Sequence, residues 1–85
     1  MSVWGAWTHS NIARLRRCFH HAVLLGKDVR LEMGGVTHVD SAFVGLVMLL
    51  QAYQRQQGKQ LLIRFLPKTV RRVIEYCCAE FLCPR

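Results

Sequence analysis

The chain has 85 residues, of which 52% are hydrophobic and 20% charged, which fits one small packed domain and excludes a disordered tail. Its net charge of +7 allows an anionic partner, although an ordinary basic surface is a simpler explanation than nucleic-acid binding. No apolar run reaches the roughly 18 residues of a membrane span, and the N-terminus lacks a secretory signal, so we expect a cytosolic protein.

The N-terminal part of the chain predicts one short strand followed by an amphipathic helix. Residues 1–7 have room for a single strand, which includes Trp4 and Trp7. Residues 8–25 have helical periodicity, with Thr8, Ser10 or Asn11 as the cap and Gly26 as the end. The predicted apolar stripe of this helix consists of Ile12, Leu15, Cys18, Phe19, Ala22, Val23 and Leu25.

The middle of the chain predicts a strand, a loop and a long apolar helix. Apolar and charged residues alternate over residues 29–33, which is typical of a strand, and a loop over residues 34–39 follows. The helix starts at Asp40 and Ser41, whose side-chain oxygens can accept from unpaired backbone N–H groups, and ends at Gly58. It is apolar on nearly every side through Leu50, so we expect burial on several sides, with close packing at Gly45.

The C-terminal part predicts a buried strand and a last helix. Residues 61–66 are almost continuously apolar, which is typical of a parallel strand covered on both faces. Pro67 opens a helix that Pro84 ends, and its apolar positions are Val70, Val73, Ile74, Cys77 and Phe81. This alternation predicts an α/β fold in which right-handed crossovers build a small, mostly parallel sheet with alternating helices, as a single domain over residues 1–85.

The four cysteines, Cys18, Cys77, Cys78 and Cys83, do not indicate a metal site or a disulfide framework. A set of the last three with His20 or His21 lacks the spacing of zinc ligands, so we expect buried thiols and no metal or other cofactor. Ser41, His38 and Asp40 have the residue types of a nucleophilic triad, but lie too close in sequence to converge. The sequence therefore predicts a protein that is not an enzyme.

The segment from Gly35 to Ala42, GVTHVDSA, resembles the turn before the long helix in STAS domains (sulfate transporter and anti-sigma factor antagonist). The resemblance continues through the apolar run 46–50, Gly58, the strand at residues 60–66 and residues 70–74, and covers most of the chain from Trp7 onward. It implies the STAS fold, here with the N-terminal strands trimmed, as in a fragment or a module of a longer protein.

The resemblance also implies a regulatory role for the Asp40–Ser41 turn. In the family, a partner kinase that is often an anti-sigma factor phosphorylates a hydroxyl there, and phosphorylation releases the partner. The family often has two hydroxyl residues after the Asp and then Gly, and the second hydroxyl is frequently the phosphoacceptor. Here Ala42 and Phe43 occupy those places, and only Ser41 keeps a hydroxyl. Ser41 is therefore interpreted either as the switch or as a helix cap.

The expected function is a non-catalytic interaction module that docks a protein partner through this turn and the start of the helix. The predicted docking residues are Asp40, Ser41, Ala42, Phe43, Val44 and Val47. The alternative is a STAS module of a membrane-associated transporter or a bacterial glycosyltransferase, which would assemble near an anionic membrane. An exposed edge at the N-terminal strand also favours a homodimer, with Trp4 and Trp7 either in the interface or packed on the first helix.

Overall fold

The computed structural model describes residues 1–77 and 79. Strands and helices alternate in this part of the chain, which confirms the predicted α/β class. The elements are β1 (Ser2–Trp7), α1 (Ile12–Leu24), β2 (Val29–Val39), α2 (Ser41–Gln56), β3 (Leu61–Arg64) and α3 (Lys68–Tyr76).

The sheet is parallel, and its strand order is β1-β2-β3. The N-terminal half of β2 pairs with β3, and its C-terminal half pairs with β1, where Trp4 lies opposite Gly35. The loop predicted over residues 34–39 is therefore wrong, because pairing with β1 extends β2 to Val39. Gly35 allows this pairing, since a Cβ at that position would lie 2.8 Å from the Cβ of Trp4.

The core lies between the sheet and the helices. Because the three strands are neighbours in chain order, two crossovers of the same hand place α1 and α2 on one face of the sheet. Helix α2 is central and contacts α1, α3, β2 and β3, which agrees with its predicted burial on several sides. The buried apolar residues are Val3, Ile12, Leu15, Phe19, Val29, Leu31, Met33, Val36, Val39, Phe43, Val44, Leu46, Val47, Leu50, Ile63, Val70, Ile74 and Ala79.

The opposite face of the sheet is open within the described part of the chain. On β3, Ile63 is buried, but Leu62 is 49% exposed, so the prediction of a strand covered on both faces is wrong. Leu62 is paired with Arg30, which is also exposed, and Trp4 on β1 is 74% exposed. Strand β3 ends at Arg64, two residues earlier than predicted.

The helix bounds also differ from the prediction in places. Helix α1 begins at Ile12, four residues later than predicted, and Leu25 lies past its end and is exposed. The predicted helix ends at Gly26 and Gly58 are confirmed, since both have positive φ and take the turns that follow α1 and α2. Among residues 1–77 and 79, no helix is both long and apolar enough to cross a bilayer.

The predicted burial of the cysteines is wrong for Cys18. Its thiol is exposed on α1, whereas Cys77 is half-buried and packs against the core. The predictions for Cys78, Cys83, Phe81 and Pro84 lie outside the described residues.

Candidate functional site

Asp40 caps α2. Its backbone is extended, and its Oδ1 accepts hydrogen bonds from the backbone N–H groups of Ala42 at 3.0 Å and Phe43 at 3.3 Å. These bonds satisfy two of the N–H groups that the first turn of a helix leaves unpaired. Ser41 is the first residue inside the helix, so its interpretation as the cap is wrong.

The other oxygen of Asp40 binds the loop between β1 and α1. Its Oδ2 accepts from the backbone N–H of His9 at 2.9 Å and lies 3.2 Å from the His9 Nδ1. These hydrogen bonds favour the charged carboxylate and hold the pKa of Asp40 below its usual value. The bond from the His9 backbone N–H has the largest effect, followed by the His9 ring and the amides of Phe43 and Ala42. Both oxygens of Asp40 therefore have structural partners.

The hydroxyl of Ser41 lies at the exposed N-terminus of α2. Backbone N–H groups and the helix dipole give this end of a helix a partial positive charge, which is favourable for an added phosphate. Ser41 therefore lies where a kinase could reach it and where the folded chain could carry a phosphate.

Three of the predicted docking residues belong to the core. The side chains of Phe43, Val44 and Val47 are buried, so they do not supply the exposed apolar surface on which their predicted docking role depends. Val47 follows Val44 by three residues and Phe43 by four, which places them on the side of α2 that contacts the sheet and the other helices. Of the remaining predicted residues, Asp40 and Ala42 are half-buried and Ser41 is exposed.

Helix α2 presents a different surface to solvent, which the sequence reasoning missed. We call it the α2 outer face; its residues are Ser41, Gly45, Met48 and Ala52, all of them exposed. Their spacing of four, three and four places them on one side of the helix. Among residues 1–77 and 79, a Cβ at Gly45 would have no neighbour within 4 Å, so the predicted close packing at this glycine is not found in the described part of the chain.

The residue types of a nucleophilic triad are not assembled at this turn. Asp40 is engaged by His9 and by backbone amides, whereas His38 lies on β2, paired in register with Ala6. Among residues 1–77 and 79, no group of three or more His, Cys, Asp or Glu side chains is arranged to hold a metal ion.

The family model described as Mlab, STAS domain matches residues 1–79. The chain belongs to the STAS domain family. The resemblance based on the Gly35–Ala42 segment is thus confirmed, as is the STAS-like fold of parallel strands and alternating helices. STAS domains generally have regulatory or interaction roles, are generally non-catalytic and typically bind proteins. Among curated proteins, none matches the chain significantly.

Proposed function

We propose that this STAS domain is a non-catalytic regulatory module that docks a protein partner through the start of α2. The observation that carries the proposal is the α2 outer face, which presents Gly45 and Met48 beside the exposed Ser41. The docking surface thus differs from the predicted one: it keeps the Asp40–Ser41–Ala42 turn and continues along the exposed side of the helix.

The composition of the α2 outer face suits a partner that approaches closely. A glycine inside a helix costs about 1 kcal/mol relative to alanine, and no described side chain packs on Gly45 in compensation. A partner that contacts the helix backbone there would supply that compensation. Met48 adds a flexible apolar side chain of the kind that is common at binding surfaces.

Ser41 gives this surface a switch. Phosphorylation would add about −1.5 to −2 charges at the end of an apolar contact, next to the carboxylate of Asp40. A partner that buries this turn would leave the phosphate partly desolvated and would dissociate. The mechanism requires a kinase that acts on Ser41, and the family resemblance makes an anti-sigma factor with kinase activity the expected partner.

The docking surface is tested with one matched pair of variants. Met48→Asp places a charge on the α2 outer face, whereas Leu62→Asp places it on the open face of the sheet. In affinity capture from the source cells, we expect Met48→Asp to lose a kinase-type partner that wild type and Leu62→Asp both recover. Equal recovery by all three proteins would contradict docking through α2.

A second candidate is an assembly module of a membrane-associated transporter or glycosyltransferase. It is favoured by Ala42 and the buried Phe43, which stand where many relatives have a second hydroxyl and a glycine. The net charge of +7 would also be favourable beside an anionic membrane. In that setting the α2 outer face would hold the partner permanently, without a phosphoswitch.

Ser41→Asp separates the two candidates. Asp is well tolerated in the first turn of a helix, so this variant should remain folded, and Ser41→Ala should change stability by less than about 0.5 kcal/mol because Asp40 supplies the cap. A switch predicts that Ser41→Asp loses the partner while Ser41→Ala keeps it, as measured by binding titration. An assembly module predicts wild-type affinity for both variants.

A further inference from the structure

A cavity of about 300 Å³ lies between α1 and α2, away from the turn that starts α2. Its apolar lining includes the buried Phe19 from α1 and the buried Leu46 and Leu50 from α2. Leu49 and Tyr53, each about half exposed at 48% and 46%, form its open side. The cavity therefore offers a shielded apolar floor that is accessible from solvent.

The cavity has a charged side chain, Arg16, in its lining. Arg16 and His20 lie one helical turn apart on α1 and both line the cavity. The lining includes no acidic side chain among the described residues. Because an arginine side chain remains charged at all physiological pH values, the cavity has a permanent positive charge beside an apolar floor.

We propose that this cavity binds a single-chain amphiphile with an anionic head, such as a medium-chain fatty acid. The alkyl chain would lie on Phe19, Leu46 and Leu50, and the carboxylate would accept hydrogen bonds from Arg16. Small-molecule pockets usually have volumes of about 300–1,000 Å³, and this cavity is at the lower limit. It therefore has room for one short alkyl chain.

The site is independent of the proposed docking function. It uses the side of α2 that faces α1, whereas docking uses Ser41, Gly45 and Met48 on the α2 outer face. Failure of ligand binding would leave the docking proposal intact, and the reverse also holds.

Three ten-carbon probes test the chemistry of the site on the full chain. Decanoate has the anionic head, decanol a neutral head and decyltrimethylammonium a cationic head. We expect isothermal titration calorimetry below the aggregation concentration of each probe to detect saturable one-to-one binding of decanoate. Decanol should bind at least about tenfold more weakly, which corresponds to about 1.4 kcal/mol, and the cation should not bind.

Two matched pairs of variants locate the site. Leu49→Glu puts a carboxylate at the mouth of the cavity, and Leu62→Glu puts one on the open sheet face at nearly the same exposure, 48% against 49%. Arg16→Gln removes the charge at the cavity, and Arg72→Gln removes an exposed charge from α3. Leu49→Glu and Arg16→Gln should each weaken decanoate binding by about tenfold or more. Leu62→Glu and Arg72→Gln should each keep the affinity for decanoate within about twofold of wild type.

Several results would overturn the proposal. Absence of saturable decanoate binding would exclude the site, and equal binding of decanol or the cation would remove the role of the basic side chains. Equal weakening by Arg16→Gln and Arg72→Gln would assign the binding to general charge attraction. Circular dichroism checks that each variant is folded, and if Leu49→Glu unfolds, the arginine pair decides the location.

Discussion

At the scale of single residues, Asp40 links two parts of the chain that are far apart in sequence. One carboxylate oxygen caps α2, and the other accepts from the backbone of His9, 31 residues earlier. The sequence predicts a helix start at Asp40 and Ser41, because Asp and Ser are both frequent caps. It cannot identify which of them caps or predict His9 as a partner, because that contact depends on where the β1–α1 loop lies in the folded chain.

The carboxylate of Asp40 should make stability depend on pH. Its pKa is lower in the folded chain than its ordinary value of 3.8, so the unfolded chain binds the proton more readily. The stabilisation by the charged form is therefore complete above about pH 3.8 and decreases as the pH falls through the lower, folded value. Asp40→Asn keeps a capping oxygen but has no charge, so it should lack this dependence.

The measurement is the Tm of wild type and Asp40→Asn between about pH 6 and pH 2.5. Wild type should have the higher Tm at pH 6, and the difference in Tm between the two proteins should decrease towards about pH 2.5. Glu75→Gln removes an exposed carboxylate from α3 and controls for the general effect of losing one negative charge. A difference in Tm that stays constant over the whole range would contradict the role of the Asp40 charge.

At the scale of one element, α2 illustrates what an apolar composition cannot specify. The sequence predicts a long helix buried on several sides, which is correct, but nearly every residue of its first half is apolar. Composition alone therefore could not separate the buried Phe43 from the exposed Met48.

Spacing contains the signal that composition lacks. Positions 43, 47, 50 and 54 follow one helical face, and the last of them is Gln54, which is fully buried. The amide of Gln54 donates to the carbonyls of Lys27 at 2.9 Å and Gln60 at 3.1 Å, and so joins the two loops that precede β2 and β3. The sequence does contain a signal for these hydrogen bonds, because the helical spacing places the polar Gln54 at a core position of α2.

Gly45→Ala tests whether the α2 outer face is free of intramolecular contacts. Alanine is favoured over glycine inside a helix, and its Cβ would meet no atom of the described residues within 4 Å, so we expect stabilisation by about 0.5–1 kcal/mol in urea unfolding. Gly35→Ala is the matched control, and it should destabilise the chain because its Cβ would lie 2.8 Å from that of Trp4. Destabilisation by Gly45→Ala would mean that the helix packs closely at this position.

At the scale of the whole molecule, helices cover one face of the parallel sheet, and the other face is open as far as residues 1–77 and 79 show. Parallel sheets usually have both faces covered, and the apolar sequence of residues 61–66 predicts that arrangement here. Whether helices cover one face of the sheet or both depends on strand order, however. The order β1-β2-β3 brings α1 and α2 to the same face. Strand order is a property of the assembled sheet, so the exposure of Leu62 could not be predicted from the strand itself.

The exposed edge at β1 predicts self-association. Trp4 is 74% exposed on the edge strand, whereas Trp7 is half-buried against the core and its Nε1 donates to the Trp4 carbonyl at 2.8 Å. Of the two tryptophans, we therefore expect Trp4 to be the interface anchor, since an exposed strand edge with a large apolar side chain favours pairing with a second copy. Sedimentation should detect a dimer whose fraction rises with concentration up to the high micromolar range.

Trp4→Lys should shift this equilibrium to the monomer, because a lysine on an edge strand opposes pairing with another chain. Tyr76→Lys is the matched control: it removes an aromatic side chain that is 90% exposed on α3, away from the β1 edge, and should leave the dimer fraction unchanged. Equal loss of dimer in both variants would attribute the change to the added positive charge. A monomer at every concentration of the wild-type chain would show that the exposed Trp4 does not serve self-association.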